Sequence, residues 1–463
     1  MIGTQATSVD DIHDPSSAAY KKARRKYFKS TRNRPPQVDA DWTPFRAAEK
    51  KYKARFPPPD LSDVLDLAAG DPTRAEEVAR GKWKGRADAA PLEEILLRDT
   101  DTGTPEERRK AYIFPGKPGL VLLPAYVSPV EQRRLIRWAL SEQARHPNET
   151  NLDTHYVLTP DGLWNQYLRV RKGESEDVEI LPRAVLQSHV SPTPEPTDQP
   201  NAPPGPRKLI SNEPASPENF AKLATTPKPP APPSPSLQPV PTSALVPRLR
   251  WANIGWYYHW GTKQYDFTRG PGEIAGMVRE VCKGVVASVP WERVFGGSQG
   301  EEGMDWGPSG PDWMDWQETY EPDAGIVNFY QTKDTLMAHV DRSELSATSP
   351  LVSMSLGCAA VFLIGGLTRD DPPIPILLRS GDVVVMSGPA CRRAYHGVPR
   401  ILEGTLPPHL EGVQSESRDS EDGADWEIYG EYLRGTRINV NVRQVFPKGF
   451  DPAVSLEQKR SAE

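Results

Sequence analysis

The chain has 463 residues, with 56 lysines and arginines against 62 acidic residues, a formal net charge of -6 and a mean hydropathy of -0.59. No apolar run approaches the length of roughly twenty residues that a membrane-spanning helix needs, which excludes such a span. The three cysteines, Cys282, Cys358 and Cys391, show no paired spacing, which argues against a disulfide scaffold or zinc site and favours a reducing compartment.

Residues 1–104 form a basic region that we expect to be largely extended or helical. Its positive charge is concentrated in Lys21–Lys29 and continues in lysines and arginines as far as Arg55. Such a segment attracts phosphates and also resembles a nuclear import signal, although a solvated amphipathic helix would look the same. Aspartates at positions 10, 11 and 14 are unusual for a mitochondrial transit peptide. We therefore expect a nuclear protein, with the mitochondrion and the cytoplasm as open alternatives.

Two segments of different character follow the basic region. Residues 105–187 contain a buried strand at Gly119–Leu123 and a capping box at Ser128–Glu131 that begins a helix. We expect this unit to pack on the outside of the main domain. Residues 188–247 are rich in proline, as in Pro227–Pro235, and predict a disordered insertion with polyproline character. Protein contacts through this insertion are a further hypothesis.

The segment Trp251–Trp260 has an aromatic content far above the 8% of the whole chain. Rings at this density either stack on a ligand or pack a hairpin onto a domain, and both interpretations stay open for each ring. We interpret His259, within this segment, as a hydrogen-bonded residue rather than a metal ligand.

Short apolar segments separated by glycine turns follow between Asn328 and His396. Alternation and apolar runs predict strands at 351–356, 360–364 and 383–386, the last directly after a turn at Ser380–Asp382. A double-layered jelly roll is built from such strands, and it brings their ends together at one mouth. We therefore predict a mainly β, α+β fold: a double-stranded β-helix core with a helical N-terminal extension and disordered insertions.

A His-x-Asp pair lies within this series of strands. In His339-Val340-Asp341 the imidazole and the carboxylate are two residues apart, so on a strand they would point the same way. Two histidines and one carboxylate on one face of Fe(II) leave three coordination positions open. His396 is the candidate for the second histidine. The pair alone is a weak signal, because it arises easily by chance.

Near the end of the chain, polar and apolar residues alternate over Arg437–Arg443. On a strand, Arg437, Asn439, Asn441 and Arg443 would share one face. Two arginines on one face suit an anion, although a strand whose charged face meets water would show the same pattern. The acidic loop before it, 411–427, is interpreted as a solvated insertion.

Taken in order, these motifs resemble the AlkB family of iron and 2-oxoglutarate dependent dioxygenases, and within it the subgroup of the first animal AlkB homologue. The stretches 339–345, 362–370 and 442–445 carry the closer match. The resemblance covers 248–446 well and extends loosely to 147–153. It implies a dioxygenase domain at 248–450, a nucleotide-recognition lid at about 250–270 and a tail at 451–463.

The resemblance also implies the roles of the site residues. Fe(II) would be bound by His339, Asp341 and His396, and would be chelated by 2-oxoglutarate with one position left for dioxygen. Arg437 would bind the C5 carboxylate of 2-oxoglutarate, because a guanidinium fits a carboxylate bidentately. The other co-substrate contacts would come from Arg443, at the C1 end, and from Asn328, Tyr330 and Asn439. Asn441 stands where bacterial AlkB has threonine.

In the family, 2-oxoglutarate is converted to succinate and carbon dioxide while an N-methyl group leaves a nucleic acid base as formaldehyde. The base would be extruded and stacked on an aromatic side chain, for which Trp256 aligns best and Tyr258 is a second candidate. Where bacterial AlkB has an acidic residue that reads the base, this chain has Ser343 followed by Glu344, so the identity of the base does not carry over. We expect a monomer that acts on tRNA or DNA.

Two other functions stay open. The same chemistry could hydroxylate or demethylate a protein side chain, and a decayed barrel could bind a ligand without catalysis. The aromatic segment and the basic N-terminal region favour nucleic acid over protein. The presence of all three ligands and both arginines counts against a decayed barrel.

Overall fold

A computed structural model of the chain describes residues 13–32, 42–80, 82–98, 109–184, 213–296, 304–307, 310–412 and 425–462. Its strands are β1 (Glu93–Leu96), β2 (Lys110–Ile113), β3 (Leu120–Leu123), β4 (Glu179–Ile180), β5 (Val240–Pro241), β6 (Trp251–Gly255), β7 (Tyr258–His259), β8 (Gln264–Tyr265), β9 (Ala324–Gln331), β10 (Leu336–His339), β11 (Leu351–Gly357), β12 (Ala360–Ile364), β13 (Ile374–Leu378), β14 (Val383–Met386), β15 (His396–Ile401) and β16 (Thr436–Arg443). The helices are α1 (Ala18–Thr31), α2 (Pro44–Lys53), α3 (Ala75–Arg80), α4 (Pro129–Arg137), α5 (Leu163–Arg171), α6 (Phe220–Thr225), α7 (Thr242–Leu245), α8 (Gly276–Ser288), α9 (Trp291–Phe295), α10 (Trp316–Thr319), α11 (Gly388–Cys391), α12 (Pro408–Glu411), α13 (Trp426–Leu433) and α14 (Pro452–Ala462).

Two antiparallel sheets form the core of the fold. The larger has eight strands in the order β1-β2-β3-β14-β11-β16-β9-β6, and the smaller has four in the order β10-β15-β12-β13. Apolar side chains of both sheets, such as Leu351 and Val384 from the larger and Ile364 and Ile376 from the smaller, belong to one buried cluster. The predicted double-stranded β-helix is therefore confirmed.

The three predicted core strands are present as β11, β12 and β14, and the alternating ladder forms β16. The turn before β14 needs Gly381, whose φ of +87° is a left-handed conformation that side chains other than glycine rarely adopt. The buried strand expected at 119–123 is β3, which pairs with β14, so this part of 105–187 belongs to the large sheet and does not pack outside the main domain as expected. The capping box at the start of α4 is present, with both the Ser128 and the Glu131 side chains bonded to the backbone.

Further layers cover the outer faces of both sheets. The large sheet packs against α4, α5, α8, α9 and α13, which bury tryptophans such as Trp164, Trp291 and Trp426. The small sheet is covered by the N-terminal segment, where Phe45 and Tyr52 of α2 pack with Val361 and Leu363 of β12. None of the helices in the described ranges is long and apolar enough to cross a membrane.

A buried ion pair attaches the N-terminal segment to the small sheet. Arg379, which follows β13, donates through Nε and Nη2 to the two oxygens of Asp66, at 3.0 and 2.7 Å. Both side chains are almost fully shielded from solvent. Nearby, Arg74 bridges Glu77 and Asp382, so the turn that begins β14 is held by the same segment.

Two expectations about insertions need correction. The proline-rich insertion was expected to be disordered, and its residues 188–212 lie outside the described residues. Residues 213–247 are ordered, because Phe220 of α6 inserts among Phe267, Phe446 and Phe450 and buries enough apolar surface to hold the segment. The acidic loop also ends earlier than expected, since Trp426 is fully buried at the start of α13; its residues 413–424 lie outside the described residues.

Candidate active site

A cavity of about 570 Å³ lies between the two sheets. The residues that line it include nearly all those predicted from the sequence: His339, Asp341, His396, Asn328, Tyr330, Arg437, Asn439, Arg443, Tyr258, Ser343 and Glu344. The strands β9 and β16 form one wall, and β10 and β15 form the opposite wall. Residues as far apart in sequence as 258 and 443 therefore face one space.

The candidate metal ligands converge at one end of this cavity. One ligand atom from each of His339, Asp341 and His396 lies within 4.8 Å of the other two. The two histidines are directly opposite each other in the pairing of β10 with β15. This pairing requires a glycine after His396, because a Cβ at Gly397 would lie 2.9 Å from the carbonyl oxygen of Leu336. Such spacing allows one ion to contact all three side chains at roughly 2 Å.

Both histidines are oriented by hydrogen bonds behind the ring. Nδ1 of His339 lies 3.0 Å from the carbonyl oxygen of Met337, and Nδ1 of His396 lies 3.0 Å from that of Ala394. A carbonyl oxygen can only accept, so each Nδ1 carries a proton, and Nε2 is the nitrogen that has the free lone pair in the neutral ring. That tautomer is the one that binds a metal through Nε2.

Asp341 is positioned differently from the sequence-based expectation. The strand β10 ends at His339, so strand alternation does not place the aspartate. Instead, Nη1 of Arg443 donates to Asp341 Oδ2 at 3.1 Å, and Asp341 Oδ1 lies 3.5 Å from His339 Nε2. Burial raises the pKa of Asp341, but Arg443 and the two histidines outweigh burial and hold this pKa below its ordinary value. Burial lowers the pKa of His396 to about 4. The carboxylate is therefore charged and His396 is neutral at neutral pH, as metal ligands must be.

Arg437 lies in the same cavity with its guanidinium only partly paired. Its Nη2 donates to Ser355 Oγ at 2.9 Å, while Nε and Nη1 are buried and have no hydrogen-bond partner among the described residues. Burial lowers the pKa of Arg437 to about 10. A buried cation with two unused donors fits an incoming carboxylate, which would satisfy both donors and balance the charge.

The other predicted co-substrate contacts surround Arg437 on β9 and β16. Tyr330 is directly opposite Arg437, and Asn328 is opposite Asn439. Burial raises the pKa of Tyr330, so its hydroxyl is a neutral hydrogen-bond donor. Asn439 donates to Ser353 Oγ and to the carbonyl oxygen of Met354, which holds its amide in one orientation. The Tyr330 hydroxyl and one amide N–H of Asn328 stay available to an anion in the cavity, whereas both N–H groups of Asn439 are already used and its predicted contact with the co-substrate stays a prediction.

Arg443 and Glu344 are bonded to each other, which the sequence did not predict. Nη1 of Arg443 donates to Glu344 Oε1 at 2.7 Å as well as to Asp341, so Arg443 holds a metal ligand in place. Its expected contact with the C1 end of 2-oxoglutarate stays a prediction. Glu344 is 2% exposed, and its Oε2 has no hydrogen-bond partner among the described residues, so the contact with a base that was predicted for it stays a prediction. Ser343 is engaged, because its hydroxyl donates to the carbonyl oxygen of Lys263.

Within the predicted lid range of 250–270, the hairpin of β7 and β8, which we call the lid from here on, is separate from the large sheet, and a different tryptophan faces the cavity. Residues 251–255 form β6 within the large sheet, and the hairpin of β7 and β8 follows. Trp256, the predicted stacking residue, packs against Phe267 and Phe446 and does not line the cavity. Trp256 lies in neither β6 nor β7, so strand alternation does not direct it to the cavity. Tyr258 does line the cavity, as does Trp260, which is 41% exposed.

Some residues of the site were not identified from the sequence. Trp260 was inside the aromatic segment, but nothing in the segment ranks one ring above another. Arg392, which is 1% exposed and lies near Asp341 and Glu344, belongs to an adjacent arginine pair just before His396. Two arginines in an otherwise apolar stretch were a usable signal. His259 is hydrogen-bonded to Thr262 and to the carbonyl oxygen of Pro229, as predicted for a hydrogen-bonded residue.

Comparison with known proteins agrees with this geometry. The family model described as 2OG-Fe(II) oxygenase superfamily matches residues 213–443. A 213-residue alignment, 30% identical, covers 43% of this chain and 76% of the N6-methyladenosine RNA demethylase ALKBH of Cryphonectria parasitica. The chain belongs to the 2OG-Fe(II) oxygenase superfamily.

Two further relatives of this oxygenase align over more of its length. The DNA N(6)-methyladenine demethylase ALKBH1A of Arabidopsis thaliana is 28% identical over 88% of this chain and 97% of that protein. The nucleic acid dioxygenase ALKBH1 of Mus musculus is 28% identical over 77% of this chain and 72% of that protein.

The oxygenase is accordingly an Fe(II)- and 2-oxoglutarate-dependent enzyme that uses dioxygen, and its residues fit these groups. The triad provides two imidazoles and one carboxylate, which is the ligand set of non-haem Fe(II) oxygenases. In the same cavity, Arg437 offers two unused donors to a carboxylate. The resemblance to AlkB proteins is confirmed at the level of the family.

Proposed function

We propose that this oxygenase oxidatively removes N-methyl groups from bases of nucleic acid, with DNA and tRNA as the substrate classes to test first. The observation that carries the proposal is the aromatic rim of the cavity, which we define as Tyr258 and the exposed ring of Trp260; both lie on the lid and line the same cavity as the metal triad. A flat ring at the mouth of a metal site suits a flat base that has left its stack.

The rim has a fixed shape before any substrate arrives. Trp260 stacks on Trp251 of β6, with ring centroids 4.9 Å apart and planes 27° apart. Tyr258 meets Trp260 edge to face at 5.0 Å. Because Trp251 belongs to the large sheet, Trp260 is held against a rigid element rather than moving with the hairpin alone. A base could therefore stack without first ordering the ring, which lowers the entropy cost of binding.

Positive charge accompanies the aromatic rim. Lys263, Arg342 and Arg369 line the same cavity. Lys263 is at the tip of the hairpin and is exposed, so its ammonium can reach a phosphate beside an extruded base. Phosphate contacts of this kind position a nucleic acid without reading its sequence. The net charge of -6 for the whole chain therefore does not oppose nucleic acid binding locally.

Each group of residues in the site would have its own role in the reaction. When bound, iron with 2-oxoglutarate and dioxygen supplies the oxidation, in which a methyl C–H becomes C–OH as 2-oxoglutarate becomes succinate and carbon dioxide. Arg437 and Tyr330 would anchor the distal carboxylate, while Asn328 and Asn439 would orient the rest of the co-substrate. The rim would hold the methylated nitrogen toward the triad and exclude water. The N–CH₂OH product then releases formaldehyde and leaves an N–H.

Relatives support nucleic acid as the substrate but differ in its type. The names of the three relatives given above include a DNA demethylase, an RNA demethylase and a nucleic acid dioxygenase. A protein side chain is the second candidate, because the triad and Arg437 would serve it equally well. The aromatic rim favours a base over an aliphatic side chain.

The test uses the purified full-length chain with Fe(II), ascorbate and 2-oxoglutarate. Formaldehyde and succinate are measured with N-methylated single-stranded DNA, duplex DNA, tRNA and a methylated peptide, each beside its unmethylated counterpart. Formaldehyde that appears only with a methylated nucleic acid supports the proposal and identifies the substrate class. Formaldehyde from the peptide alone would contradict it.

Trp260→Ala tests the rim. Loss of one base stack should raise the KM for the methylated oligonucleotide about 10- to 100-fold, whereas Trp260→Phe should keep most of the affinity because it retains a ring. Equal KM values for the alanine and native proteins would show that the base does not stack on Trp260.

We also propose a nuclear location and a monomeric state. The helix α1 presents its lysines and arginines on an exposed surface, which leaves them accessible to an import receptor. A fluorescent fusion with and without lysine and arginine at 21–29 tests the location, and light scattering of the purified chain tests the oligomeric state. Retention in the nucleus after the charges are removed would contradict the import role.

A further inference from the structure

Behind the metal ligand Asp341 lies a buried group of charged side chains, Asp341, Glu344, Arg392 and Arg443. Nη1 of Arg443 is shared between the two carboxylates, at 3.1 Å from Asp341 Oδ2 and 2.7 Å from Glu344 Oε1. On the other side, Arg392 Nη2 lies 3.4 Å from Glu344 Oε2 and Nη1 lies 4.0 Å from Asp341 Oδ2. Two guanidiniums thus balance two carboxylates within one buried space.

Glu344 and the metal ligand Asp341 both accept from the same nitrogen of Arg443. The closer of the two contacts of Nη1 is to Glu344, so this glutamate takes the larger share of that donor. Without the charge of Glu344, two guanidiniums would face Asp341 alone. They would draw the carboxylate away from an incoming cation and would raise the positive potential at the triad. Both effects weaken the binding of a divalent ion.

A residue of the lid completes this arrangement. Tyr265 of β8 is 2% exposed, and its hydroxyl donates to Glu344 Oε1 at 3.0 Å. In the hairpin it pairs directly with Tyr258, whose side chain lines the cavity. The oxygen of Glu344 that bonds to Arg443 is therefore also the oxygen held by the lid. One continuous set of hydrogen bonds connects Tyr265, Glu344, Arg443 and Asp341.

We propose that Glu344 is a positioning residue for the metal centre, and that Tyr265 extends this role to the lid by holding Glu344 against Arg443. The lid hairpin thereby contributes to metal affinity as well as to the rim of the cavity. Metal binding requires no substrate, so this inference is tested independently of whether the substrate is DNA, RNA or protein.

The experiment measures Mn(II) binding to the full-length chain from the loss of the free-ion electron paramagnetic resonance signal. Glu344→Gln removes the charge at nearly constant volume and should raise the Kd for Mn(II) about 10- to 100-fold. Tyr265→Phe removes one hydrogen bond and should raise it about 3- to 10-fold. Glu344→Asp should recover part of the affinity, because it restores the charge one methylene further from Arg443.

Tyr429→Phe is the matched control. Tyr429 is also 2% exposed, and its hydroxyl is bonded to Ser141 at 2.7 Å on the outer side of the large sheet. The change removes a buried tyrosine hydroxyl away from the metal and should leave the Kd for Mn(II) unchanged. If Tyr265 had only a structural role, Tyr265→Phe would lower the melting temperature, as is expected of Tyr429→Phe, and would leave the Kd for Mn(II) unchanged.

Native-like Kd values, within about twofold, for both Glu344→Gln and Tyr265→Phe would overturn the proposal. If Glu344→Gln does not fold, as judged by circular dichroism, Tyr265→Phe alone decides the outcome, because it keeps the buried ring. The double variant should bind Mn(II) no more weakly than Glu344→Gln, since Tyr265 acts through Glu344. Additive losses in the double variant would refute the part assigned to Tyr265.

Discussion

Replacing Arg437 by alanine should raise the KM for 2-oxoglutarate about 10²- to 10³-fold while kcat at saturation changes only a few-fold. The magnitude follows from the two buried donors, Nε and Nη1, that lack a partner among the described residues. A hydrogen bond to a charged group contributes roughly 1.5–3 kcal/mol, so two at the lower end contribute about 3–4 kcal/mol. At about 1.4 kcal/mol per tenfold change, this is two to three orders of magnitude in affinity.

In the absence of 2-oxoglutarate, the Arg437 side chain should lower the thermal stability of the protein. Arg437 is 2% exposed, and its Nε and Nη1 have no hydrogen-bond partner among the described residues, so its burial costs free energy until an anion arrives. We expect Arg437→Met, which keeps much of the volume, to unfold at the same or a higher temperature than the native protein. Saturating 2-oxoglutarate should stabilise the native protein and not this variant.

The change in KM is measured by steady-state kinetics at varied 2-oxoglutarate concentrations. The change in stability is measured by thermal melting with and without 2-oxoglutarate. Arg434→Ala is the control, because Arg434 is an exposed arginine three residues earlier and is remote from the cavity lining. Arg437→Lys should give an intermediate KM, since an ammonium supplies charge without the planar pair of donors. A change in KM of less than threefold for Arg437→Ala would refute the assignment of the distal carboxylate to this residue.

Three other predictions concern the triad and the stability of the fold. His339→Ala or Asp341→Ala should abolish both succinate and formaldehyde formation, and full activity in either variant would contradict the metal site. Asp66→Ala leaves Arg379 buried without its partner, which should lower the free energy of unfolding by about 3–5 kcal/mol in urea titrations without changing the KM for 2-oxoglutarate. Burial raises the pKa of Asp323 to about 7 from an ordinary value of 3.8, so the folded state holds this proton more tightly than the unfolded state. The resulting stability is complete below the ordinary pKa and is lost as the pH rises to about 7. From pH 5 to pH 8 the native protein should lose about 2.5 kcal/mol of stability through this group, and Asp323→Asn should not show that loss; parallel pH profiles would contradict this.

Much of the core and the chemical centre could be predicted from local patterns. The strands β11, β12 and β14 follow from short-range alternation and apolar runs, and the face shared by Arg437, Asn439 and Arg443 follows from the two-residue period of a strand. These signals need only the neighbouring residues. The triad needed one long-range step, from His339 and Asp341 to His396, which the order of motifs in the family provided.

The lid could not be predicted from local patterns. The ring of Trp260 faces the cavity and that of Trp256 does not, because the chain leaves β6 at Gly255 and forms a separate hairpin. The ordering of 213–247 likewise depends on partners at Phe267 and Phe446, which are close only in the folded chain. Composition alone favours disorder there, because it does not report contacts between distant segments.

The sequence by itself determined the β core, the ligand types and the presence of two arginines on one strand face, since each depends on residue identity and strand period. Only the tertiary structure decided what each charged group does. Arg437 keeps unused donors because no carboxylate of the described residues is bonded to it, whereas Arg443 is shared by Asp341 and Glu344. The two arginines have the same chemistry and the same strand. Their roles differ because the free energy of a buried charge depends on the groups that the fold places within a few ångströms of it.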